Sequence, residues 1–170
     1  MSISMHGASV GVFTRVLNNL DHILGKAESW VAERKIDPNA ILNSRLAPDM
    51  FTFTRQVQIA TDMAKGTAAR LAGIDPPRME DNETSFAELR ARVQNVLAYL
   101  ATLDAAQFEG SETRAITLKL GPPGAQREVH FQGLDYLLGF GTPNVYFHYS
   151  MIYALLRHNG LAVGKTDFIG

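Results

Sequence analysis

Residues 7–34 read GASVGVFTRVLNNLDHILGKAESWVAER, and the spacing of their apolar side chains decides the fold. Val10, Phe13, Leu17, Leu20, Leu24, Ala27 and Val31 recur at alternating steps of three and four, and Val16, Ile23 and Trp30 widen the stripe. That period places all of them on one face of a helix. The other face carries Arg15, Asn18, Asn19, Asp21 and Lys26. A stripe this broad must be buried against other helices, so a helical bundle is predicted.

Downstream, the same spacing returns twice. Phe53, Val57, Ala60, Ala64, Thr67 and Leu71 mark a second helix, with Asp49 as its expected N-cap and Gly73 placed to end it. The proline-rich, polar stretch IDPPRMEDNET (74–84) reads as a connection. Ser85 with Glu88 forms a capping box, and Phe86, Leu89, Val93, Val96, Leu100 and Leu103 stripe a third helix.

The period changes between Thr113 and Phe131. Ile116, Leu118 and Leu120 alternate with polar residues, Val129 and Phe131 flank His130, and GPPGAQ between them has a turn composition. A short β-hairpin is predicted. Thr142 and Pro143 are the expected N-cap and first turn of a fourth helix, which ends at Gly160 with Arg157 and His158 in its last turn. This helix is apolar almost all round, which predicts cover on most of its sides. The expected architecture is all-α: an up-and-down four-helix bundle with a hairpin between helices 3 and 4, in one domain over residues 1–170. The last ten residues are expected to dock, through Leu161, Val163, Phe168 and Ile169, with Lys165 and Asp167 able to pair or to meet backbone groups.

Composition narrows the function. Hydrophobic residues make up 46% and charged residues 19% of the 170, and the net charge is −1. No field favours nucleic acid or an anionic membrane, and no basic run is present. The chain has no cysteine, which removes thiol nucleophiles, disulfides and thiolate zinc sites. The stretch MSISMHGASVGVFTR lacks the pattern of a secretory signal, and no run approaches the ~20 apolar residues of a membrane span. A cytoplasmic protein is expected, for which the sequon-like NET at Asn82 carries no meaning.

Local motifs exclude more than they propose. Gly164–Thr166 (GKT) imitates the end of a phosphate-binding loop, but Asn159 stands where that loop needs its first glycine. No GxSxG elbow occurs, and Ser150 lies mid-helix. Asp21, Asp49, Asp62 and Glu88 all read as surface or capping residues. Among five histidines, His22 is expected in solvent, His158 in a last turn, His130 outward on the hairpin, and His6 near the start of the first helix. His148 differs, lying between Val145 and Ile152 on the inward track of the most apolar helix. It is either a buried neutral imidazole bonded to a neighbour or a polar group facing a cavity. Asn144 lies one turn earlier on the same face.

The segments LAPDM (46–50), FHYSMIYALLRHNG (147–160) and GKTDFIG (164–170) look like those of the domain-of-unknown-function family numbered nineteen ninety-three, over nearly the whole chain. That family is similar to the DinB-like superfamily of four-helix bundles. Metal-holding members of that superfamily use three histidines for nickel or zinc: one from an earlier helix and two from a His-x-x-x-His pair on the last. The resemblance puts His148 at the second of that pair and Asn144 at the first. No histidine falls between His22 and His130, so the second helix supplies none. It therefore implies an old cavity without its metal: no cofactor, and His148 as polar anchor beside Asn144, Tyr153 and Gln56. The expected function is binding of a small molecule there. The alternatives are a non-catalytic bundle that self-associates or binds a partner, and a metal-dependent hydrolase or transferase of DinB type. Whether it is an enzyme stays open. The resemblance also implies a homodimer.

Overall fold

The computed structural model describes residues 3–122 and 124–170. Its long helices are α1 (Val12–Arg34), α3 (Phe53–Ala72), α4 (Phe86–Leu100) and α6 (Thr142–His158). Short helices α2 (Pro38–Leu42), α5 (Gly133–Tyr136) and α7 (Lys165–Ile169) join them, so four helices do not exhaust the helical content. The expected hairpin is present, with β1 (Ala115–Leu120) antiparallel to β2 (Arg127–Gln132) and Thr117 opposite His130. The chain is therefore mostly helical with one small sheet. No helix among the described residues is long and apolar enough to cross a membrane.

The first stripe behaves as its spacing requires. Phe13, Val16, Leu17, Leu20, Ile23, Leu24, Ala27 and Val31 are buried in a cluster with the inner faces of α3, α4 and α6. A wide π-type turn, Gly7–Gly11, leads into α1. α1 packs on α4 and α6, and α3 packs on the same two helices.

The up-and-down order is corrected by the contacts. Arg90 on α4 bonds Asp21 and Glu28 of α1, while His6, before α1, bonds the carbonyl of Leu103, past α4; these two helices run oppositely. Gln56 on α3 meets His148 on α6, and a Cβ at Gly141 would strike Thr67, so α3 and α6 also run oppositely. Phe53 packs against Phe86 and Thr61 bonds Arg92, so α3 and α4 run the same way. The order is up, down, down, up. The physical reason is the connection 73–85, which does not turn the chain back. It returns along the whole of α3, with Asp81 at Arg55 and Glu83 at Gln58.

Two helix boundaries also move. Thr52, not Asp49, caps α3: its Oγ1 accepts from Arg55 N at 3.4 Å, while Met50 N closes a separate turn on Ala47 O. Thr142 is not an N-cap, because helix already runs through α5 and a π-type turn at Leu137–Gly141. Pro143 lacks the N–H a helix interior needs, and the wide turn just before it accommodates the ring. Thr142 Oγ1 is left buried and unpartnered. Ser85 does cap α4, and Glu88 answers it through Thr84.

α6 is not covered on most sides. Only its inward track (Val145, His148, Tyr149, Ile152, Leu155 and Leu156) is buried, because α3 and α1 are the long helices that touch it, and Leu138, Tyr146 and Phe147 face out. The tail does dock. Phe168 stacks on Tyr149 at 4.2 Å, and Asn19 and Tyr149 both donate to its carbonyl. Ile169 stays exposed, and Asp167 pairs with Lys26 at 2.8 Å and His22, not with Lys165.

Candidate functional site

Val145, Tyr149, Ile152 and Leu156 hold α6 against the core, and the same track carries His148 inward. On α3, Gln56 lies one residue before the fully buried Val57 and faces it. The two polar side chains meet across the α3–α6 interface: His148 Nδ1 lies 2.7 Å from Gln56 Oε1, and both residues are buried.

Gln56 sets the imidazole's tautomer. Its Nε2 donates to the carbonyl of Phe51, which turns Oε1 toward the ring. An amide oxygen only accepts, so His148 Nδ1 carries the hydrogen and Nε2 the lone pair. Burial, with the Arg55 charge second, holds the imidazole below its ordinary pKa, so the ring is neutral at neutral pH. The Nε2 atom has no protein partner among the described residues. It is also not among the buried orphan atoms, which are Tyr99 Oη and Thr142 Oγ1, so it keeps contact with solvent. Phe51 and Phe147, 56% and 53% exposed, stand beside the pair. The arrangement offers one fixed acceptor, able to take a proton or a hydrogen bond, next to the ring of Phe147, whose centroid lies 5.1 Å from the imidazole.

Of the four residues expected together, the structure joins His148 and Gln56 alone. Asn144 Nδ2 donates to Phe140 O at 2.7 Å within its own helix. Tyr153 points to the tail, donating to Val163 O and meeting Phe168 edge-on. The donor set does not fit nickel or zinc. One imidazole with one amide falls short of the ligand count, and no group of three His, Cys, Asp or Glu among the described residues could hold a metal ion.

A buried ionic cluster beside the site was missed in the sequence. Arg92, among the largest fully buried side chains, bonds Asp62, Asp81 and Glu83 at 2.8–3.0 Å and Thr61 Oγ1 at 2.7 Å. Arg55 pairs with Asp81 and bonds Gln58, which links this cluster to the His148 end of α3. The signal was there: Arg92 sits between Leu89 and Val96 on the apolar stripe, where a charge must find partners.

A mostly helical chain with a small hairpin fits the DinB-like class. It superposes on the crystal structure of a DinB family member protein from Shewanella denitrificans with a TM-score of 0.86 and 39% identity, covering 98% of this chain and 92% of that one. The chain belongs to the family described as Domain of unknown function (DUF1993), which matches residues 5–169. No curated protein matches it.

Proposed function

We propose that this protein is a DinB-like four-helix bundle, a single domain over residues 1–170, that binds a small molecule at the α3–α6 interface without a metal. The observation that carries the reading is the 2.7 Å bond between His148 and Gln56. An amide that fixes one ring nitrogen leaves the other oriented for a ligand, which is how a protein builds an acceptor rather than a filler. The exposed ring of Phe147 supplies apolar area beside it. The location consistent with this reading is the cytoplasm.

Native mass spectrometry of protein purified without chelators tests it. A retained organic adduct, lost in His148→Ala and Gln56→Ala, is the expected result. Stoichiometric nickel or zinc lost on His148→Ala would overturn it and restore the metal-dependent alternative.

A second reading, self-association as a homodimer, is favoured by one observation. Residues 136–156 carry no charged side chain, yet Leu138, Tyr146 and Phe147 of that stretch face outward. An uncharged outward helix face can meet its own copy about a two-fold axis.

A further inference from the structure

The opposite end of α3 carries a second polar feature, independent of His148. A hollow of about 500 Å³ lies between the end of α3 and the first residues of β1, lined by Arg70, Gly73, Asp75, Arg114 and Thr117 among others. Two guanidinium groups wall it, and both are held in place. Arg70 lies back over Gly66, where a Cβ would come within 2.6 Å of its Nη1, and that nitrogen donates to Tyr136 Oη at 3.3 Å. Arg114 lies over Gly73, 3.1 Å from where a Cβ would be, and donates to the carbonyls of Leu71 and Gln107. Gly73 has φ +76° and ends α3, so it is glycine for two reasons at once.

Arg114 has an ordinary structural task, since it satisfies one terminal carbonyl of α3, that of Leu71, and ties it to the carbonyl of Gln107. Arg70 does not. One of its nitrogens meets a phenol, and neither arginine forms an ion pair among the described residues, although nearly every other inward-turned cation here does. Both terminal nitrogens of Arg114 already donate to main-chain carbonyls, so the donors left for a ligand are mainly those of Arg70, in a hollow large enough for a small molecule that both arginines line. Asp75 shares the lining and, with the negative end of α3, lowers the net positive field.

We infer that this hollow binds the oxyanion of a small molecule, a phosphate or carboxylate group, mainly through the guanidinium group of Arg70, with the charge of Arg114 beside it. Planar guanidinium groups match such oxygens in pairs, and preorganisation by Gly66 and Gly73 reduces the ordering cost. The opposing charge of Asp75 sets a weak affinity.

Titrating the full chain with inorganic phosphate, and separately with acetate, at constant ionic strength tests the assignment by following the backbone amide resonances of Ala115, Ile116 and Thr117. At least one of the two anions should give saturable shifts. Arg70→Gln should weaken binding about tenfold, and Asp75→Asn should tighten it severalfold. Arg78→Gln removes the same charge outside this hollow and should change affinity less than about twofold. The Asp75→Asn gain is a readout that loss of folding cannot imitate. The inference is overturned if neither anion saturates, if Arg70→Gln binds as the wild type does, or if Arg78→Gln weakens binding as much as Arg70→Gln.

Discussion

At the scale of single residues, the two buried hydrogen-bonding centres, His148 and Arg92, make opposite kinds of demand. Truncating His148 leaves the Gln56 oxygen without its donor in a buried interface. His148→Ala should therefore lower stability by about 1–3 kcal/mol in urea unfolding. Burial depresses the folded-state pKa below the ordinary 6.5, so the unfolded chain takes up the proton first. The stability that wild type holds over His148→Gln should be full above pH 6.5 and shrink as pH falls below it. An advantage growing toward acid would mean that the ring is charged in the fold. Arg92 holds Asp62, Asp81 and Glu83, the first two with side chains more than a third exposed. Arg92→Ala should cost about 3 kcal/mol, the lower end for a broken buried ion cluster because water reaches two of its acids. His148 could be singled out in the sequence because an imidazole interrupts an apolar track. Its partner could be named but not paired, since register between two helices is not written in either. Arg92 stands on an apolar stripe in the same manner and was not singled out.

At the scale of elements, α7 shows how much a short terminal helix can contribute. Phe168, stacked on Tyr149, and the buried Leu161 and Val163 anchor it, and Asp167 accepts from Lys26, His22 and the amide of Gly164. Removing residues 164–170 should lower Tm by at least about 2–4 °C, the shift that ~1 kcal/mol makes in a domain of this size. The hydrogen bond from Lys26, with that from Gly164, lowers the Asp167 pKa to about 2. A depressed carboxylate stabilises the fold above its ordinary 3.8 and ceases to do so as pH falls toward 2. The penalty for the truncation should therefore shrink in scanning calorimetry between pH 4 and pH 2. Helix stripes were readable because period 3.6 is a property of one segment. The starts of α3 and α6 were misplaced because Asp49 and Thr142 satisfy the local rule for a cap, while neighbouring turns decide whether the rule is used.

At the scale of the whole molecule, the outward face of α6 and the π-type turn before it exposes Leu138, Tyr146 and Phe147, and the proposed homodimer would cover it. Light scattering is expected to give about twice the 18.7 kDa of one chain. Phe147→Glu should return the mass to that of a single chain, since a charge placed in an uncharged contact must be desolvated. The bundle, the hairpin and the membership in a family of bundles were all legible in the stripes and the C-terminal segments. The parallel course of α3 and α4 was not, because direction depends on where a connection goes and its composition states only that it is one.

The connection between α3 and α4 is also a ruler. α3 spans 20 residues, roughly 30 Å at the helical rise. The chain from Ala72 to Phe86 must retrace that distance, and fully stretched it reaches only about 45–50 Å. Pinned at Asp81 and Glu83, it has little slack to lend. Shortening it by three residues near Pro77 should pull α4 out of register with α3, separating Phe86 from Phe53 and Arg92 from its acids together, whereas lengthening the hairpin turn by three should leave Tm almost unchanged. Length thus constrains the fold here as much as any side chain does, in a stretch whose composition carries no stripe.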